Sequence, residues 1–144
     1  MVNVVAVEGR SHEPGATDIV DVCVNLEVNS GHVAGVQADL LWDPVCLSAE
    51  APVGDEVKCG LGAGVDRDTF MVRLVEPARM RALMVSLRDT RPLPAEVNRL
   101  FCCVFRTAGG AAHCEVDLDN LILSDPRGRR LPVELRPGTV EANG

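Results

Sequence analysis

The sequence predicts an all-β protein, a β-sandwich, on three observations: short segments alternate apolar and polar residues, glycine and proline turn signals separate them, and helical patterning is nearly absent. The 144 residues suffice for one domain with one hydrophobic core, and we expect residues 1–144 to form it. Hydrophobic residues make up 47% and charged residues 24%, as in ordinary globular proteins. No apolar run approaches the roughly 20 residues of a membrane-spanning helix.

The first clear strands cover Val20 to Leu26 and Val36 to Trp42, where every second residue is apolar. This period of two places one side of each strand on a core. Asp43-Pro44 then predicts a turn, because proline fixes φ and the aspartate side chain can accept a backbone hydrogen bond.

The middle of the chain offers one ambiguous segment, from Pro77 to Leu87, which has some helical character. Alternation from Arg79 to Val85 favours a strand, and Arg91-Pro92 ends it. Glycines between residues 60 and 64 predict a loop.

Two later strands are predicted from Phe101 to Arg106 and from Cys114 to Leu118. The run Ala108-Gly109-Gly110 separates them, and Asp125-Pro126-Arg127-Gly128 marks a further turn. Many short strands with this spacing of turns are typical of a sandwich.

The formal charge of −7 disfavours nucleic acid and anionic membrane as partners, because both are bound through clustered Lys and Arg. The tightest basic cluster, Arg127, Arg129 and Arg130, is interpreted as a solvated turn, with a ligand-binding role as the less favoured alternative. The opening MVNVVAVEGR lacks the basic and long apolar regions of a signal peptide.

Six cysteines occur, and no two of them form a Cys-x-x-Cys pair. The histidines His12, His32 and His113 are not spaced with them as zinc ligands usually are. Disulfides are therefore favoured over a metal site, and no cofactor is predicted. Disulfides indicate an oxidising compartment; the alternative is buried free thiols in a cytosolic protein.

No catalytic residue is predicted, so the chain is expected not to be an enzyme. It has no Gly-x-Ser-x-Gly motif, and the neighbours Ser11-His12-Glu13 in a loop seldom point at one site. The acidic pairs Asp66/Asp68 and Asp117/Asp119 are expected to be solvated, with adventitious calcium as the alternative.

The stretch GVQADLLWDPVCL, which follows the valine-rich strand from Ile19 to Leu26, resembles a strand of the cohesin domain. Met80 to Leu87, Leu100 to Thr107 and the closing LDNLILSDPRGRRLPVELRPGTV follow in the cohesin order. The resemblance extends from about Val4 to Val140. The cysteines and the arginine-rich segment bring the chain closer to cohesin-like modules found outside cellulosomes.

The resemblance implies a nine-stranded β-sandwich with jelly-roll topology, immunoglobulin-like in general shape and related in fold to carbohydrate-binding modules. It also implies non-catalytic docking of a dockerin-type protein module, with calcium carried by the partner. Such docking takes place in extracellular or cell-surface assemblies, often polysaccharide-degrading ones.

In cohesins, the docking face is the outer side of the sheet that contains the strand ending in Asp-Pro. The resemblance therefore implies six partner-binding residues in this chain: Gln37, Asp39, Leu41, Arg81, Leu83 and Val85. A shift of one residue in the second strand would replace its three members by Ala82 and Met84.

The same arrangement places the first two strands and the Leu100 strand in one sheet, and the Val36 and Cys114 strands in the other. With the strands in those sheets, the resemblance implies the disulfides Cys23–Cys102, Cys59–Cys103 and Cys46–Cys114, with Cys59 lying in a loop.

The sequence also allows two other functions: a structural spacer without a specific ligand, and a carbohydrate-binding module. Sugar binding usually requires exposed planar aromatic side chains. The chain has no Tyr, one Trp and three Phe. Trp42, Phe101 and Phe105 are expected to point inward, which leaves only Phe70 available, so carbohydrate is an unfavoured partner.

Overall fold

The computed structural model describes residues 2–11, 18–67, 69–85, 92–94, 98–107 and 113–141. These residues form strands and turns and contain no helix, hence none that could span a membrane. The strands are β1 (Asn3–Ser11), β2 (Ile19–Glu27), β3 (Gly35–Trp42), β4 (Leu47–Ala49), β5 (Cys59–Leu61), β6 (Thr69–Glu76), β7 (Arg79–Val85), β8 (Arg99–Thr107), β9 (His113–Ser124), β10 (Arg130–Leu131), β11 (Val133–Arg136) and β12 (Gly138–Glu141).

The strands form two sheets, as predicted. One has the order β11-β1-β2-β8-β4, with β5 also paired to β8, and the other has the order β10-β9-β3-β7-β6, with β12 paired to β9. The predicted division of strands between the sheets is confirmed. The β-sandwich is likewise confirmed, and short edge segments such as β4, β5 and β10 bring the strands of the described residues to twelve.

The ambiguous segment before Leu87 is the strand β7, as its alternation predicted, and residues 86 and 87 lie outside the described ranges. The loop predicted around residues 60 to 64 is partly wrong, because Cys59–Leu61 pairs with β8. The pairing continues through a hydrogen bond from the N–H of Gly62 to the carbonyl of Leu100 at 2.8 Å. Short, glycine-rich strands carry too little alternation to be recognised.

The Asp43-Pro44 turn carries the chain from one sheet to the other. The Asp43 carbonyl accepts hydrogen bonds from the N–H groups of Cys46 at 2.9 Å and Leu47 at 3.0 Å. Its side-chain Oδ1 accepts the N–H of Val45 at 2.9 Å. Because these bonds close a tight corner, Leu47 begins β4 on the opposite sheet and is buried there.

The core lies between the sheets and is filled by the inward residues of each alternating strand. Trp42, Phe101 and Phe105 are buried as predicted, and Trp42 packs edge-on against Phe105 with ring centroids 4.9 Å apart. The expectation that Phe70 is free on the surface is wrong: Phe70 is half-buried, with its ring centroid 5.4 Å from that of Phe101.

Candidate functional site

The site is the outer face of the second sheet, which we define as the outward side chains of β9, β3, β7 and β6. Its register follows from the pairing of β3 with β7, where Gln37 lies opposite Leu83 and Asp39 opposite Arg81. The alternate residues Ala38 and Ala82 form an inward pair, and both are buried. The register that would turn Ala82 and Met84 outward is therefore wrong.

Six sequence-predicted side chains lie on this outer face, on two adjacent strands. They are Gln37, Asp39, Leu41, Arg81, Leu83 and Val85.

Asp39 is the centre of a charged cluster on this face and is fully buried, at 0% exposure. Arg81 donates to it from Nε to Oδ1 at 2.8 Å and from Nη2 to Oδ2 at 3.0 Å. Arg79 donates from Nε to Oδ2 at 2.9 Å, and Asn120 donates from Nδ2 to the same oxygen at 3.1 Å. Three side chains therefore cover a carboxylate whose strand position alone predicts exposure to water.

Arg79 also neutralises a second carboxylate. Asp119 on β9 lies opposite Asp39 on β3, and the Arg79 Nη2 lies 2.8 Å from Asp39 Oδ2 and 2.9 Å from Asp119 Oδ2. Without this guanidinium the two facing carboxylates would repel each other. Arg79 thereby links three strands of the sheet across the face.

The cluster holds Asp39 ionised. The hydrogen bond from Arg81 is the largest influence on its pKa; burial opposes it, bonds from Arg79 and Asn120 add to it, and the pKa falls to about 2. The pKa values of Arg79 and Arg81 are raised, chiefly by their hydrogen bonds to Asp39. All three groups therefore remain charged across the physiological range.

An apolar strip lies beside the charged cluster on the same face. Leu83 on β7 lies opposite Met71 on β6, and Val85 lies opposite Thr69. On the other side of β3, Ile122 lies opposite Gln37. Met71 is 45% exposed, while Leu83, Val85 and Ile122 are half-buried. The strip provides apolar surface that a partner could cover.

Sequence reasoning missed several members of this face, namely Arg79, Met71, Asp119, Asn120 and Ile122. Arg79 could have been found, because it shares the alternation of Arg81. Asn120 carries no such signal, since it enters the face at an irregularity in β9 where its φ is 49°. Asparagine tolerates this left-handed conformation better than most residues.

Three disulfides brace the sandwich, and they are the three pairs implied by the resemblance. Cys23–Cys102 links β2 to β8, Cys59–Cys103 links β5 to β8, and Cys46–Cys114 ties the Asp-Pro corner to β9. Cys59 lies in a strand rather than in the loop expected for it, directly opposite Cys103.

The other predicted constellations lie partly outside the described residues. His12 and Glu13 of the Ser11-His12-Glu13 run lie outside the described residues, as does Asp68. Among the residues that the structure describes, no group of three or more His, Cys, Asp or Glu side chains is arranged to hold a metal ion.

No protein-family model and no curated protein matches the chain in sequence. Solved structures do match its fold. The sixth cohesin of scaffoldin B from Acetivibrio cellulolyticus, solved with a Cel5 dockerin, is 14% identical with a TM-score of 0.75, over 96% of this chain and 99% of that one. A chain from a type I cohesin–dockerin complex of Clostridium thermocellum, Coh-OlpC-Doc435, is 16% identical with a TM-score of 0.73, over 97% of this chain and 92% of that chain.

A third match is a non-cellulosomal cohesin from the archaeon Archaeoglobus fulgidus, with 16% identity and a TM-score of 0.71. It covers 100% of this chain and 93% of that chain. All three similarities span nearly the whole chain and include both sheets. The chain therefore has the fold of a cohesin domain.

Proposed function

We propose that this protein is a non-catalytic docking module that binds a dockerin-type protein through the outer face of its second sheet. The observation that carries the proposal is the apolar strip of this face, which lies directly beside a fixed charged cluster. Two of the similar structures are cohesins solved together with dockerins, which supports the same class of partner.

The outer face has the composition of a protein interface. Leu83 and Val85 supply apolar area on one side of the charged cluster and Leu41 on the other, and Arg81, whose side chain is 49% exposed, belongs to the cluster between them. A standard interface covers about 800 Å² on each partner, with an apolar centre and a polar rim. Arginine is enriched in such interfaces, and Asp39 holds Arg81 in place before any partner binds.

The partner, rather than this chain, would carry calcium. The chain contains no Asp-x-Asp-x-Asp-Gly loop, the pattern that supplies oxygen ligands in calcium-binding loops. The three disulfides favour an oxidising compartment, and we place the protein outside the cell or on its surface.

The test is a titration of the protein with a panel of dockerin modules from the same genome, measured by calorimetry. Leu83→Asp places a charge at the centre of the apolar strip and should weaken binding at least about tenfold. Val104→Asp is the matched control, because Val104 is also half-buried but lies on β8 of the other sheet. Thermal melting of both variants establishes that they fold.

Equal affinity of Leu83→Asp and the native protein, with weaker binding of Val104→Asp, would place the interface on the other sheet and refute this face. Failure of every dockerin to bind would instead favour the structural spacer. Carbohydrate binding is not favoured, because all four aromatic side chains are buried or half-buried.

A further inference from the structure

A groove of about 580 Å³ lies at the end of the sandwich where the connection between β2 and β3 meets the turn between β9 and β10. Gly31 and His32 form one wall, and residues 125–127 and 129–131 form the other. The walls touch, because Gly31 lies so close to Leu131 that an added Cβ would stand 2.9 Å from its Cδ2. The groove is therefore bounded by two segments that pack against each other.

Asp125 fixes the shape of the second wall. Its Oδ1 accepts the backbone N–H groups of Arg127 at 2.9 Å and Arg129 at 2.8 Å, and its Oδ2 accepts Arg129 Nε at 2.9 Å. Gly128 closes the turn with a φ of 79°. These bonds lower the pKa of Asp125, the bond from the Arg129 backbone most of all. Arg129 is therefore neutralised within the turn.

Arg127 and Arg130 are not neutralised. In the part of the chain that the structure describes, neither has a carboxylate oxygen within the 4.0 Å of a salt bridge, whereas Arg73, Arg99 and Arg136 are each paired. Both side chains are exposed and line the groove, and exposed His32 stands on the opposite wall. Two unneutralised guanidinium groups thus share one concave site on a protein of net charge −7.

We propose that this groove binds a doubly charged oxyanion of the phosphate or sulfate type, held by Arg127 and Arg130. The planar guanidinium group presents paired N–H donors that match the oxygens of such an anion. The concave shape lets His32 on the opposite wall add a donor to those of Arg127 and Arg130, which a flat basic surface does not allow. This site is separate from the docking face, and it requires no docking partner.

The experiment is a titration with inorganic phosphate at constant ionic strength, followed through the backbone amide NMR signals of Gly31 and Gly128. Saturable shifts of both signals at millimolar phosphate are expected. Arg127→Gln and Arg130→Gln should each weaken binding at least about fivefold, and the double variant should abolish it. Arg10→Gln removes the same charge at the opposite end of the sandwich and should leave the titration unchanged.

A parallel titration with methyl phosphate separates a free anion from a phosphoryl group on a larger molecule. Equal affinity for both probes supports a site for substituted phosphates, and binding of inorganic phosphate alone supports a site for the free ion. Shifts that rise linearly without saturation, or that are the same in the native protein and the double variant, would mean an adventitious ion only and would overturn the proposal.

Discussion

Arg81 on β7 and Asp39 on β3 lie opposite each other on adjacent strands and form a bidentate ion pair. Arg81 Nε donates to Oδ1 at 2.8 Å, and its Nη2 donates to Oδ2 at 3.0 Å. The carboxylate is buried on a face that otherwise meets solvent. Because it is fully buried beneath Arg79, Arg81 and Asn120, it cannot offer an oxygen to a partner unless these side chains move. We therefore interpret Asp39 as the residue that positions the arginines, and Arg81 as the one that can meet a partner.

Asp39→Asn should destabilise the protein by about 2 to 3 kcal/mol, because it leaves two guanidinium groups without their shared carboxylate. Urea unfolding at pH 7 measures this loss. Asp117→Asn is the matched control, since Asp117 is an exposed aspartate on the adjacent strand and its replacement should change stability by less than about 0.5 kcal/mol. Equal effects of the two substitutions would contradict the role given to the cluster.

Acid should weaken the fold partly through Asp39. Its pKa is about 2 in the folded protein and about 3.9 in an unfolded chain, so the ionised form favours folding. This contribution is present in full above about pH 4 and is lost as the pH falls towards 2. Unfolding measured at several pH values should show that the difference in free energy of unfolding between the native protein and Asp39→Asn becomes smaller over that range.

Asp125 contributes in the same direction, because its pKa is also lowered. Asp39→Asn should accordingly remove only part of the acid sensitivity. A gap that stays constant from pH 5 to about 2 would show that Asp39 is not ionised by its neighbours as described.

The pairing of the adjacent Cys102 and Cys103 predicts which thiol each single substitution releases. Cys103→Ser should free Cys59, which trypsin excises in the peptide of residues 59 to 67, whereas Cys102→Ser should free Cys23. Alkylation of the unfolded, unreduced protein followed by mass spectrometry identifies the thiol. Each variant should also lose roughly 3 to 4 kcal/mol of stability through its missing bridge. Alkylation of Cys23 in Cys103→Ser would contradict this pairing, because it would mean that Cys103 is bonded to Cys23.

Gly62 and Gly60 give a matched pair within one short segment. A Cβ at Gly62 would lie 2.0 Å from the carbonyl oxygen of Arg99, a backbone atom that cannot yield easily. Gly62→Ala should therefore cost about 2 to 3 kcal/mol, whereas Gly60 has open space around it and Gly60→Ala should be close to neutral. Thermal or urea unfolding compares them, and similar stabilities would refute the close approach.

The strands of the sandwich could be predicted from sequence because apolar alternation is local information. Their division between the two sheets was implied by the resemblance to cohesins and could not be read from alternation. Alternation in β7 limited its outward residues to one of two sets, and the pairing of β7 with β3 in the structure selects the set that contains Arg81 and Leu83. The strand β5 could not be recognised, since it exists only where the edge of β8 receives it. β6 likewise carries no clear pattern, and with it the exposed Met71 was missed.

The burial of Asp39 was beyond local patterning for a different reason. Its position on β3 predicts a solvated side chain, and only the cross-strand arginines and an irregular Asn120 enclose it. This enclosure depends on residues that lie 40, 42 and 81 positions away in sequence, namely Arg79, Arg81 and Asn120. Contacts of that range are set by strand pairing, which a single sequence does not reveal.

The covalent bond between Cys23 and Cys102 also bears on how the protein would respond to tension. A force applied at the two ends of the chain passes through this bond. The segment between the two cysteines, which are 79 residues apart, therefore carries no tension. Only the terminal portions outside it can be drawn out. Lengthening of the module under load would therefore be confined to those terminal portions, while β3, β6 and β7, which lie inside the bridged segment, keep their arrangement.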